Sequence, residues 1–343
     1  MSTDIRKAIT VASAVGILGI STPAIADGYQ KVASFYKGKT VTVMVPSGLG
    51  ATLGLYGRLT TEHLGKHIPG NPTVIIQSRP GGGGTKGAAY AYNAAPKDGT
   101  YIAEALAPSV LAPLLRKMKF DASKFQWLGS IAPRPAVVSV WHKAPVSDLA
   151  SAQNREAIMG STGLGSETYL APTLLNHIAG TKFKVVKGYK GGAKINKAME
   201  GGEVHGRMNY WSGWTAGKPA WVSGNKLRHI VSYGGKISAL PNLPTMIDLA
   251  KTAEEKAMVR FLEVAPRIGM GFWVHPEVPK DRVAALRKAF MSMLNSSEFR
   301  ADAKKRNAPV NPVPGVKLDK LVAEAYATPP ATIQKLKKVF GFK

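Results

Sequence analysis

Three glycine- and hydroxyl-rich segments hold the residues in this chain best suited to binding chemistry. They are Ser47-Gly48-Leu49-Gly50-Ala51-Thr52-Leu53-Gly54, Gly81-Gly82-Gly83-Gly84-Thr85-Lys86 and Ser161-Thr162-Gly163-Leu164-Gly165-Ser166-Glu167-Thr168. Each follows an apolar or β-branched run and precedes a stretch of helical spacing. At a helix start, backbone amides and hydroxyls donate to an anion, and the positive end of the helix dipole favours it there. Glycine lets the backbone approach a ligand without a Cβ in the way. The four consecutive glycines suit a carboxylate that accepts several N–H bonds, and the bland alternative is a flexible turn. In the third segment Ser166 caps the following helix, a role compatible with ligand binding.

The residue sets that make and break covalent bonds are not legible. Cysteine is absent, which removes disulfides, zinc–thiolate centres and thiol nucleophiles. No G-x-S-x-G elbow occurs, and the second glycine segment lacks the G-K-[ST] order of a nucleoside triphosphate loop. Glu62, His63 and His67 read E-H-x-x-x-H with no third ligand in view, so the histidines are expected at the surface. No enzyme, metal or cofactor is called for. One rival reading is an NADP-dependent oxidoreductase. The first segment spells G-x-G-x-x-x-G, one residue longer than the dinucleotide fingerprint, and Arg79 stands where a 2′-phosphate partner could. Asn209, Tyr210, Trp211 and Trp214, read as following a strand over 204–208, either line a cleft and select ligand shape or pack in the core.

The elements that must position these segments alternate between strand and helix. Strands are expected at 40–45, 73–77, 100–105, 137–141, 157–159, 184–187, 204–208, 227–232 and 271–274. Helices are expected at 55–67, 85–94, after Ser166, at 193–200, from Asp281, and near 318–325. Leu170, Leu174, Leu175 and Ile178 share one helix face, as do Val283, Leu286, Phe290 and Leu294. Alternation of this kind implies mostly parallel sheets flanked by helices, here in two α/β halves with a cleft between them.

With 343 residues, two domains of ordinary size are expected. A 45% hydrophobic and 20% charged composition excludes disorder and collagen-like structure. The net charge of +25 attracts anions, but the longest basic run is Lys304-Lys305-Arg306. A diffuse basic surface is therefore expected, with no nucleic-acid partner. Arg6 and Lys7 precede the uncharged run Ala8–Ile20, and small residues then lead to Ala24-Ile25-Ala26. The run is too short to span a bilayer core, so residues 1–26 read as a signal peptide cleaved after Ala26, with the mature protein in the periplasm.

Several stretches together resemble the solute-binding receptors of tripartite tricarboxylate transporters. They are Leu55-Tyr56-Gly57-Arg58-Leu59, His63 to Pro72, Pro80 to Gly84, Ala95-Pro96-Lys97-Asp98-Gly99-Thr100, Gly188-Tyr189-Lys190-Gly191, Gly202 to Gly206 and Ala325 to Pro330. The resemblance implies a two-lobed periplasmic binding protein of type II-like α/β fold. It implies a monomer that captures a small organic carboxylate and delivers it to a large and a small transmembrane subunit; a sensor presenting the same ligand to a membrane partner is the alternative. Lobe one is expected to comprise 27–140 and 263–343, and lobe two 141–262.

Carried over residue by residue, the resemblance implies ligand contacts at Ser47, Gly50, Ala51 and Thr52, at Gly82, Gly83 and Thr85, and at Ser161, Thr162, Gly165, Ser166 and Thr168. Asn209 is added from the reading of its own strand end. Two positions depart from the family pattern, Gly54 and His205, each standing where relatives commonly carry an acid. Their loss of negative charge implies an unusual ligand, larger or more anionic.

Overall fold

The computed structural model describes residues 23–50 and 52–342. Residues 1–22 of the expected leader and Ala51 lie outside the described residues, and the expected cleavage point after Ala26 falls within the helix Pro23–Tyr36. The β-branched run Thr40–Val45 forms strand β1, followed by β2 (Thr73–Ser78), β3 (Tyr101–Glu104), β4 (Gln126–Ser130), β5 (Ala136–Trp141) and β6 (Ala157–Ser161). The remaining strands are β7 (Phe183–Lys187), β8 (Gly206–Tyr210), β9 (Leu227–Tyr233), β10 (Gly271–Val274) and β11 (Val313–Pro314).

They form two sheets, of order β11-β4-β10-β3-β1-β2 and β7-β6-β8-β5-β9. In the first, β1 lies between β2 and β3 in parallel, while β10 runs antiparallel to β3 and β4. In the second, β6 lies parallel to β7 and β8, while β5 runs antiparallel to β8 and β9. The two sheets share one logic. Second, first and third parallel strands stand side by side, and the antiparallel strand inserted next is the one that has just arrived from the other sheet.

The chain passes between the sheets at 131–135 and returns at 269–270, and the two crossings are bonded to each other. The Ile131 amide donates to the Met270 carbonyl at 3.0 Å, the Met270 amide to Ala132 at 3.0 Å and the Arg134 amide to Pro266 at 2.7 Å. Gly269 sits at this junction with φ +58°. A Cβ there would lie 2.1 Å from the Ala132 carbonyl oxygen, so only glycine allows the crossings to lie so close.

Apolar faces read from spacing are buried as expected. Leu170, Leu174, Leu175 and Ile178 pack into one core, and Val283, Leu286, Phe290 and Leu294 into another on the far side of the first sheet. Burial of each such side chain contributes about 1.5–3 kcal/mol. The C-terminal helix Pro330–Phe340 packs on both Glu167–Ala179 and Pro108–Leu115, so it touches elements on either side of the crossing. Among the described residues no helix is long and apolar enough to cross a membrane.

Several local features differ from the sequence reading, among them the following. Strand β5, placed at the end of the first half, is bonded within the second sheet, because Pro133 and Pro135 carry the turn ahead of it. Strand β8 begins at Gly206, so Asn209 and Tyr210 are part of the strand rather than beyond it. Strand β4 and helix Ala253–Ile268 were without expectation. The β4 sequence Gln-Trp-Leu-Gly-Ser lacks β-branched residues and is held by pairing with β10 and β11.

Replacing Gly269 by alanine should lower the unfolding free energy by about 2 kcal/mol or more, from a disfavoured φ combined with backbone overlap. Urea denaturation checks this, and wild-type stability would contradict the paired crossings.

Candidate functional site

The second and third glycine segments meet at a cavity of about 710 Å³ between the two sheets. Gly82, Gly83 and Thr85 line it from the first sheet, and Thr162, Gly165, Ser166 and Thr168 from the second. All four glycines from Gly81 to Gly84 have positive φ. Gly84 stands at the N-cap of helix Thr85–Asn93, and no side chain caps that helix. The Thr85 hydroxyl instead donates to the Gly82 carbonyl at 2.8 Å, which ties the loop over the helix start.

Across the cavity, Thr168 organises the third segment. Its Oγ1 accepts from the Thr162 amide at 3.1 Å and lies 3.2 Å from the Ser161 hydroxyl. Ser166 caps the helix Glu167–Ala179 through the Thr168 amide. Ser161 is fully buried and does not line the cavity; its hydroxyl accepts from the Gly163 amide at 3.1 Å and so shapes the loop from beneath.

The first segment lies elsewhere. Ser47, Gly50 and Thr52 do not line the cavity, and Gly48 to Gly50 are exposed. The Leu49 carbonyl accepts from Arg58 and presses on Gly54, where a Cβ would lie 2.1 Å from the Leu49 oxygen. An aspartate at Gly54 therefore requires this loop to move. His205, the other departure, stands outside the cavity; its Nδ1 accepts from the Ile158 amide at 2.9 Å and fastens β6 to β8. Arg79 lies over the Tyr90 ring at 3.3 Å and donates to Gln77 at 2.9 Å.

Other side chains singled out above settle as follows. Asn209 and Tyr210 line the cavity, whereas Trp214 is core, its Nε1 donating to Ser139 at 3.2 Å. His63 is buried rather than at the surface, because its Nε2 meets Asp302 at 3.0 Å. Arg306 holds the neighbouring carboxylates of Glu62 and Asp302, which makes this cluster an ion-pair network.

The cavity also contains charged residues that no motif announced. Arg116 and Lys117 stand exposed at its rim, following the helix Pro108–Leu115. Arg207 lies in the wall on β8, only 8% exposed. Its guanidinium donates to the Met208 carbonyl at 2.9 Å, to Asn196 Oδ1 at 3.2 Å and, at 3.4 Å, to Asn209 Oδ1. None of the ion pairs among the described residues involves it, and burial pushes its pKa down to about 10. A charged residue in a strand that otherwise points inward was the available sequence signal. Leu106, Pro108, Leu164 and Met208 provide apolar wall between these polar groups.

The acid of the cavity, Glu167, is suppressed. Its carboxyl accepts from the Tyr210 hydroxyl and, at 3.2 Å, from that of Tyr233. Burial pushes its pKa up to about 7, with those two hydroxyls and Arg134 opposing. The Arg134 guanidinium lies over the Tyr210 ring at 3.8 Å. Glu104, at the end of β3, is wholly buried, and burial raises its pKa well above the carboxylate range against the pull of Arg134. Below neutral pH the site is thus richer in cation than in ionised acid, and it can hold an oxyanion on amides and hydroxyls from two sides.

The family model described as "Tripartite tricarboxylate transporter family receptor" matches residues 58–337. A solute binding protein of the same family name, TctC, from Polaromonas is 20% identical with a TM-score of 0.65, over 88% of this chain and 99% of that one. A Rhodopseudomonas palustris protein solved with adipate is 23% identical with a TM-score of 0.63, over 88% and 97%. The Rhodopseudomonas palustris protein MatC with bound malate is 20% identical with a TM-score of 0.61, over 88% and 99%. At these identities the likeness carries the fold, a two-lobed α/β periplasmic binding protein.

Glu167 gives the molecule a pH-dependent stability. The folded carboxyl keeps its proton to about pH 7, whereas an unfolded one releases it above about 4.5. The folded state binds more protons in that window, so this contribution is complete below about pH 4.5 and lost as the pH rises through about 7. The slope is at most about 1.4 kcal/mol per pH unit. Urea unfolding from about pH 5 to about pH 8 should show a shallower pH dependence in Glu167→Gln than in wild type; equal slopes would contradict the buried protonated carboxyl.

Proposed function

The chain belongs to the tripartite tricarboxylate transporter receptor family, and on that premise we propose that it captures a small organic carboxylate in the periplasm. It delivers that ligand to the large and small membrane subunits of a tripartite transporter and catalyses no reaction. The observation that carries this reading is the pairing of two amide-rich loops, one from each sheet, across a cavity in which cationic side chains outnumber ionised acids. Relatives of the same fold solved with adipate and malate support the ligand class. The charged, apolar and small-residue order of residues 1–26 supports export by a cleaved leader.

A carboxylate held by charge-assisted hydrogen bonds gains about 1.5–3 kcal/mol from each. Micromolar affinity needs about 8 kcal/mol, so four to six such bonds suffice once ordering and closure are subtracted. Loops on opposite sheets share those contacts, and a ligand that touches both favours the closed arrangement over the open one. Release then needs only reopening, which suits a shuttle between free solute and a membrane acceptor.

Calorimetry with aliphatic, hydroxylated and aromatic carboxylates, run beside NADPH, tests the reading. At least one carboxylate should bind at about micromolar Kd and reduce the radius of gyration in solution scattering, while NADPH does neither. Failure of every carboxylate, or binding of NADPH alone, overturns it. For the carboxylate that binds, Thr168→Val should weaken affinity by about fivefold, the equivalent of one neutral hydrogen bond lost from the loop.

A further inference from the structure

Arg207 is placed where electrostatics alone disfavour a cation. Its guanidinium is buried, its acceptors are two neutral side-chain amides and one backbone carbonyl, and no carboxylate among the described residues pairs with it. It also lies against the opening turn of helix Gly192–Glu200: a Cβ on Gly192 would stand 2.2 Å from its Nη1. A helix start carries positive partial charge, so it repels this guanidinium and adds to the desolvation cost. Buried charges are ordinarily paired. The Trp214 ring, 5.7 Å from the guanidinium, supplies an aromatic face but no counter-charge, and Arg207 also lines the cavity together with Asn209.

From this we infer that Arg207 and Asn209 form an oxyanion subsite in the second-sheet wall, where the guanidinium takes its missing counter-charge from an acid group of the ligand. The inference rests on the receptor reading for the ligand's identity, but the subsite itself rests on the placement of Arg207. The glycine loops hold a ligand through neutral donors and discriminate weakly between an acid and a polar uncharged group. The guanidinium discriminates strongly, because a neutral group leaves its charge uncompensated. Planar N–H donors also match a carboxylate edge to edge. Leu106 and Met208 line the same cavity, so the ligand turns an apolar part to those side chains and an acid end to Arg207. The departures at Gly54 and His205, neither of which lines the cavity, play no part in this preference.

The test compares wild type, Arg207→Gln, Arg207→Lys and, as a control, a variant of an exposed arginine remote from the cavity, Arg155→Gln. Thermal unfolding is followed in sulfate and in chloride at equal ionic strength, and adipate and malate are titrated by calorimetry beside their amides. Sulfate should raise the unfolding midpoint of wild type and Arg155→Gln above that in chloride. Arg207→Gln should lose the difference, and Arg207→Lys should keep part of it. Any carboxylate that binds wild type should bind Arg207→Gln about tenfold to a hundredfold more weakly, and the preference for acid over amide should shrink with it.

A sulfate response in Arg207→Gln equal to wild type overturns the subsite. So does an Arg207→Gln variant that unfolds early while Arg207→Lys restores stability without restoring the anion response, since Arg207 is then a structural fastener. If sulfate acts through Arg207 but no carboxylate binds, the subsite stands and the receptor reading falls. If carboxylates bind wild type and Arg207→Gln equally, the receptor reading stands and the subsite falls.

Discussion

The paired crossings between the sheets are the constraint on which everything else depends. Two segments distant in sequence, around Ala132 and around Met270, exchange backbone hydrogen bonds at the point where the chain changes sheet. Gly269 permits this because it alone tolerates both the positive φ and the contact with the Ala132 carbonyl. A single strand of chain leaves two bodies free to turn in many directions, whereas two bonded strands define a line along which the bodies meet. That line sets the glycine loop of the first sheet opposite the hydroxyl loop of the second.

Around this line the protein collects buried polar groups. Glu104 and Arg134 stand near the crossing, and Glu167, with Tyr210 and Tyr233, stands at the cavity wall beside it. A carboxylate ionised there would cancel the attraction of Arg116, Lys117 and Arg207 for an anion. Burial keeps Glu167 largely protonated below neutrality, so the carboxyl serves the hydrogen-bond network without adding negative charge to the cavity.

Much of the candidate site was legible because glycine and hydroxyl residues between a strand and a helix have few other uses. Gly82, Gly83, Thr85, Thr162, Gly165, Ser166 and Thr168 all line the cavity, and Ser166 caps its helix as its position suggested. Ser161 belongs to the same loop but faces inward, since strand alternation there turns its hydroxyl under the backbone. Ser47, Gly50 and Thr52 obey the same local rules yet lie outside the cavity, and the one sequence feature that sets their segment apart is Gly54, where relatives commonly carry an acid. Arg207 escaped notice for the opposite reason. It belongs to no motif, and its significance lies in what is missing around it.

Sequence alone determined the alternation of strands and helices, the apolar faces of the long helices and the family, because periodicity, loop chemistry and short residue motifs are local properties. Tertiary structure alone decided which loops face one another, that β5 joins the second sheet, that Gln126–Ser130 is a strand at all, and that Arg207 has no acid beside it among the described residues. Those outcomes depend on contacts between residues far apart in the chain, and the energy of a charge depends on every neighbour within reach rather than on the residues that flank it.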